Sequence, residues 1–264
     1  MYAYFIDSWV AEKRQRKLDK LDLGLTQKGI TGKKIKMGRL HDLEGSVKEC
    51  FAQGIKTFVA VGDDETASRI LNSVLRMQQK PSFVFSFISM SGGESLISKV
   101  LGYSSIQESI DALKALRTVK IDIGILNSRH YFITSAVFPY KCSFGFESYS
   151  VSSLRKNHHI SVCNINIYKN QEYKGTPMFR TSDGLFEAII AYKPKESFFE
   201  KLYFRKEKPD YILDSIFQVK AIKIKSNQKT VSVLADAQKQ FTAPVMVEVL
   251  PRFLEIVVGG DLNG

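Results

Sequence analysis

Gly62, Asp63, Asp64, Glu65 and Thr66 stand between a β-branched run, Thr57 to Val61, and an amphipathic segment, Thr66 to Met77. Strand, sharp turn and helix in that order suit the binding of phosphate: backbone N–H groups face the anion and the helix dipole favours it. Such turns need glycine, which lets the backbone approach a ligand closely, and here only Gly62 supplies it. The carboxylates oppose the same ligand. One carboxylate ~4 Å from a phosphate repels it by about 1 kcal/mol in water and by up to ~4 near a protein surface. Bound Mg²⁺ would reverse that sign. The five residues also read as an acidic first helical turn that complements the helix dipole. A nucleotide site, a damaged one and a plain loop all remain open on these residues.

The other chemistry-bearing side chains are weaker signals. His158, His159 and Cys163 could be taken for metal ligands. On a strand, however, neighbours point to opposite faces and an i,i+4 pair lies ~13 Å apart, so they are expected to be packed or exposed. Asp183 stands in an Asp-Gly turn, a pairing that turn chemistry explains by itself. Asp236, in "VSVLADAQ", is an ordinary turn residue on sequence grounds. The run "SFFEKLYFRKEKP", Ser197 to Pro209, mixes aromatic and basic residues as an interfacial helix does; a core-facing amphipathic helix has the same composition.

The elements that must hold these residues fall into two patterns. Strands are expected at Tyr2 to Ile6, Thr57 to Val61 and Ser82 to Ile88. Helices are expected at Trp9 to Leu23, Leu43 to Phe51 with Asp42 as N-cap, Thr66 to Met77, Glu94 to Leu101 and Ile106 to Leu116. This rhythm implies a parallel sheet with helices on both faces. After Val119 the runs are short and β-type: Val119 to Leu126, Tyr131 to Val137, Ile160 to Tyr168, Leu185 to Tyr192, Phe217 to Ile224, Thr230 to Leu234 and Met246 to Leu250. Turn residues separate them, which reads as an antiparallel sandwich. The expected fold is therefore α/β: an N-terminal doubly wound α/β domain over residues 1–118 and a C-terminal antiparallel β-sandwich domain over 119–251. One helix is expected at Ser197 to Phe204, and a last strand at 252–259 could return to the first domain.

With 264 residues, 44% of them hydrophobic, the chain can build one large core or two smaller ones. No secretory signal stands at the start, and the longest apolar stretch, Phe83 to Met90, is too short to span a bilayer. Cys50, Cys142 and Cys163 are few and far apart, as free buried thiols of a reducing cytoplasm would be. A cytoplasmic protein is expected, with peripheral membrane association open to it. The formal net charge is +11, and ten basic against three acidic residues between Ala11 and Arg39 carry +7 of it. That cluster favours an anionic partner, with an anionic membrane surface preferred. No RNA-binding motif appears and aromatics do not interleave with the cluster, so nucleic acid is not expected. A homodimer is left open.

Read in order, the segments resemble the diacylglycerol kinase catalytic family, which includes bacterial lipid kinases and sphingosine kinases, and more distantly NAD kinases. The family's Gly-Gly-Asp-Gly-Thr, then Asn-Glu-Val-x-Asn-Gly, matches Gly62 to Thr66 and Ser68 to Ser73. "SMSGGESLISKVLG" matches its second nucleotide loop, "KIDIGILNSRHYF" a strand pair, and "SDGLFEAIIAY" its Asp-Gly-Leu-x-Asp strand. "VSVLADAQ" falls on its Asp-Gly-Glu, and "PRFLEIVV" on its closing strand.

The resemblance implies a lipid kinase that moves the ATP γ-phosphate to a lipid hydroxyl with Mg²⁺. Gly62, Asp64, Thr66, Gly92, Gly93 and Ser95 would lie at the nucleotide, Asp236 would be the base, and Asp183 would be associated with Mg²⁺. Several departures weaken this. Asp63 and Glu65 replace glycines, Gly93, Ser95 and Leu96 replace Thr, Asn and Asp, Gln238 replaces Glu, and Asp7 stands in an Asn position. A non-glycine residue in left-handed backbone costs roughly 1–2 kcal/mol. With the added repulsion, nucleotide binding falls on the order of tens- to thousands-fold. A pseudokinase that binds a lipid or other ligand is the alternative, and a nucleic-acid-binding protein using the basic cluster is a third class.

Overall fold

The computed structural model describes residues 1–38, 41–77, 82–91, 95–139, 141–146, 149–152, 158–168, 179–192 and 211–260. It has the mixed α/β architecture expected, in two compact units. One comprises Met1–Ile123 and Leu250–Gly264, the other Gly124–Val249. Gly92, Gly93 and the segment Ser197 to Pro209 lie outside the described residues.

The first unit begins with β1 (Tyr2–Asp7), α1 (Ser8–Lys13), α2 (Gln15–Gln27), β2 (Gly32–Met37) and α3 (Leu43–Ala52). It continues with β3 (Thr57–Gly62), α4 (Asp64–Met77), β4 (Val84–Ser89), α5 (Leu96–Leu101) and α6 (Ile106–Ala115). The strands pair in parallel in the order β2-β1-β3-β4, and Glu255 and Ile256 of the last strand, β16 (Val245–Val257), add a fifth position beside β4.

Every residue of β3 is buried, as a central parallel strand covered on both faces must be. Tyr2 sends its hydroxyl to the Leu113 carbonyl of α6 at 3.0 Å. Phe5 points the other way and stacks on Phe58, which meets Phe51 of α3. Helices therefore cover both faces. The segment read as one helix from Trp9 is two: Arg14, at φ −134° and ψ 29°, interrupts it and its carbonyl caps α2. β2 was not legible because Lys33, Lys34 and Lys36 conceal a pattern in which only Ile35 and Met37 are buried; lysines are usual on an edge strand.

The second unit takes the end of β5 (Thr118–Leu126) and adds β6 (His130–Phe132), β7 (Ser135–Phe138), β8 (Cys142–Gly145), β9 (Ser150–Ser152) and β10 (His158–Cys163). β11 (Phe186–Tyr192), β12 (Ile212–Val219), β13 (Ala221–Ser226), β14 (Thr230–Ala235), β15 (Ala237–Thr242) and the start of β16 complete it. Six strands form an antiparallel sheet in the order β12-β11-β10-β7-β14-β15, while β16, β13, β8 and β9 pair in another sheet. One apolar cluster joins them, with Ile160, Ala188 and Val233 from the first sheet and Phe144, Ile224 and Val247 from the second.

The histidines are packed against tyrosines. His158 is buried beside Tyr192, and His159 stands edge-on to Tyr211 with ring centroids 4.9 Å apart. Among the described residues no cluster of three or more His, Cys, Asp or Glu could hold a metal ion. All three cysteines are free and buried, and among the described residues no helix is long and apolar enough to cross a membrane.

Candidate functional site

The turn after β3 is built by the chain's own carboxylates. Asp63 caps α4: its Oδ1 accepts from the Thr66 backbone N–H at 2.8 Å, and its carbonyl accepts from Ala67 N at 3.0 Å. An Asp at N-cap that accepts from the backbone N–H three residues on is a strong helix-start device. The same Oδ1 lies 2.8 Å from Thr66 Oγ1, and Asp7 Oδ2 at the end of β1 also lies 2.8 Å from that hydroxyl. Thr66 has a single hydroxyl proton to share between the two carboxylates. Arg69, one turn further along α4, places its guanidinium 2.6 Å from Asp7 Oδ2 and offsets part of this negative charge. Gly62 is needed for contact inside the turn: a Cβ there would come within 2.5 Å of Thr66 Oγ1.

Asp64 is turned elsewhere. Ser95 Oγ donates to its Oδ1 and Leu96 N to its Oδ2 at 3.0 Å, so its carboxylate closes the N-terminus of α5. Ser95 itself caps α5 by accepting from Ser98 N at 3.0 Å. Burial raises the Asp64 carboxyl above the ordinary carboxylate range, against the pull of those donors. Glu65 is exposed. Across the sheet ends, Lys17 of α2 donates to the carbonyls of Ser91, at 2.9 Å, and Met90, at 3.3 Å. The first unit thus brings together Gly62, Asp64, Thr66 and Ser95, and adds Asp7, Asp63 and Arg69. The sequence leaves Asp63 open between a group that repels phosphate and part of an acidic first helical turn; the structure makes it the N-cap.

Asp183 and Asp236 belong to the second unit, at the same end of the six-stranded sheet. Three strand spacings, roughly 14 Å, separate β11 from β14. Asp183 is exposed and accepts from Leu185 N at 2.9 Å, closing the turn before β11 with Gly184 at φ 78°. Asp236, between β14 and β15, has left-handed backbone at φ 53°. Its carboxylate takes Ile133 N at 2.5 Å, Thr134 N at 3.0 Å and Thr134 Oγ1 at 2.5 Å. Those amides are the ones that would otherwise continue β6 into β7, which is why the single strand expected from Tyr131 to Val137 is two.

Glu187, on β11, is 1% exposed, and burial pushes its carboxyl up to about 7, although Phe179 N and Gln218 donate to it. Sequence reading passed over it, because a carboxylate inside an apolar strand shows no motif.

The parallel unit, the antiparallel unit and the strand that runs from the second to the first define a two-unit α/β class. The chain has the diacylglycerol-kinase-like fold, as its likeness to solved structures shows. A diacylglycerol kinase structure from Bacillus anthracis matches with a TM-score of 0.68 at 15% identity, over 97% of this chain and 96% of that one. An NAD kinase from Archaeoglobus fulgidus, solved in complex with ATP, matches with a TM-score of 0.55 at 14% identity, over 99% and 95%. At such identities the likeness is one of fold. No protein-family model and no curated protein matches the sequence.

Proposed function

We propose that this chain is a pseudokinase of the diacylglycerol-kinase-like fold, a binding protein in which the ancestral ATP turn is closed from within. The observation that carries this is Asp63 on Thr66. The N–H that would face a phosphate at the start of α4 already has a carboxylate partner at 2.8 Å, and a second carboxylate, Asp7, stands on the adjoining hydroxyl. A triphosphate would have to displace the first and lie beside the second. Asp64 is likewise committed to α5. ATP does not fit this donor set. Mg²⁺ usually reaches such sites together with substrate phosphates, so it has no separate support.

Active lipid phosphorylation is the second reading. One observation favours it: Gly62 and Thr66 keep their motif positions, and Asp63 is held by the turn alone, so a strongly bound nucleotide could expel it. A helix cap is worth about 1 kcal/mol, which is a small barrier to displacement.

Thermal melting with millimolar Mg·ATP separates the two readings. The pseudokinase reading expects no shift for the native chain and a measurable one for Asp63→Gly, in which the N–H is released. Stabilisation of the native chain, or transfer of labelled γ-phosphate to diacylglycerol, would overturn it.

A further inference from the structure

The basic residues of the N-terminal cluster are not equivalent. Lys28, Lys33 and Lys34 are paired with Asp111, Glu49 and Asp22, each at 2.7 Å. Lys17 is spent on the carbonyls at the end of β4. Five others, Lys13, Arg14, Arg16, Lys20 and Lys36, are exposed and form no ion pair among the described residues.

These five gather at one corner. Lys13 and Arg14 form the bend between α1 and α2. Arg16 and Lys20 lie in the first turns of α2, one turn apart. Lys36 stands two residues beyond Lys34 on the same face of β2, and Lys34 already reaches α2 through Asp22. Glu12 and Asp19 are the exposed acids of the segment, and Asp19 accepts from Gln15 at 2.7 Å.

The exposed stripe of α2 continues past the charges. Arg16, Lys20, Leu23 and Gln27 follow i, i+4, i+7 and i+11, while Leu18, Leu21 and Leu25 are buried on the opposite face. Leu23 is 59% exposed. The helix presents a line roughly 20 Å long with cations at one end and an apolar side chain in its middle. We infer that this face of α1 and α2 docks on an anionic phospholipid surface, with the cations at the headgroups and Leu23 entering the interface. A helix that lies in the plane of the interface is recognised by this division of charged and apolar groups. Nucleic acid fits less well: the stripe has no aromatic ring on which a base could stack, and Leu23 would face phosphates.

The test is flotation of the full chain with vesicles of phosphatidylcholine, with and without phosphatidylglycerol. Binding is expected with phosphatidylglycerol alone, and it should fall as salt rises. Each cation near an anionic surface is worth roughly fivefold in partition, so the double reversal Arg16→Glu with Lys20→Glu should reduce binding at least about 25-fold. The reversal of Lys223 and Lys239 to Glu, both exposed on the second unit, changes net charge equally and should leave most binding. Leu23→Ser should lower binding in a way that salt does not mimic. Equal loss in both double variants, flotation with neutral vesicles, or salt-dependent RNA binding without flotation would each overturn the proposal. Should the α2 variant fold poorly by its melting curve, flotation of the native chain across the salt series decides: salt-insensitive or absent binding overturns it.

Discussion

Asp63 in the first unit and Asp236 in the second do the same elementary thing, and the outcome differs. Both carboxylates capture backbone N–H groups. Asp63 acts locally, three residues from its partner, and closes one helix end. Asp236 acts across 102 and 103 residues of chain on the amides of Ile133 and Thr134, which are themselves buried. Water cannot readily replace it there. The local cap shapes one helix turn, whereas the distant one ties two separate segments of the fold together. Glu187 is the opposite extreme, a buried carboxylate with too few donors to hold its charge.

Breaking the distant lock should have the largest effect. Asp236→Ala leaves three donors, Ile133 N, Thr134 N and Thr134 Oγ1, without their acceptor and puts alanine in left-handed backbone, for a loss of about 3 kcal/mol. Melting should fall by roughly 6–12 °C. Asp236→Asn, which keeps one acceptor and tolerates the backbone, should lose less. Equal losses would mean that charge, and not the hydrogen bonds, holds the β6–β7 break.

Glu187→Gln should come next and carries a pH signature. The folded carboxyl sits at about 7 against an ordinary 4.5, so the folded state binds the proton more tightly than the unfolded state does. The contribution is fully present below pH 4.5 and is lost as pH rises through 7. Above that pH, the glutamine variant should be more stable than the native chain by about 2 kcal/mol, and the difference should vanish in acid. Denaturant titrations from pH 4 to 8 measure it; a pH-independent difference would remove the burial argument.

The local cap should cost less. Asp63→Ala is expected to lose about 1 kcal/mol, read from the denaturation midpoint, and a loss as large as that of Asp236→Ala would erase the distinction between the two sites. Arg69→Ala should be smallest, about 0.5 kcal/mol, because the guanidinium is half exposed. High salt should shrink that difference further.

Much of the architecture was legible in the sequence for a stated reason. β3 and α4 announce themselves because a fully buried strand and a strongly amphipathic helix leave pure patterns. β8 and β9 are only four and three residues long, and β15, AQKQFT, is mostly polar, so their pairing comes from the sheet and not from local preference. The break at Asp236 was invisible, since nothing near Tyr131 encodes a carboxylate a hundred residues away. At the candidate site, the positions of Gly62, Asp64 and Thr66 were readable, but their bonding was not. Whether an Asp repels a phosphate or caps a helix depends on where its side chain turns, and Arg69 gains its meaning from Asp7 on another strand.

β16 carries a consequence for how the molecule is made. Val245 to Glu248 pair with β13 in the second unit, Glu255 and Ile256 pair with β4 in the first, and the strand bends between them at Arg252, whose amide is held by Asp122 at 2.6 Å. A nascent chain that has emerged from the ribosome as far as Thr242 therefore has two unfinished edges. Synthesis of a single stretch of 13 residues closes both, so proteolytic or translational loss of that stretch would leave neither half a complete sheet.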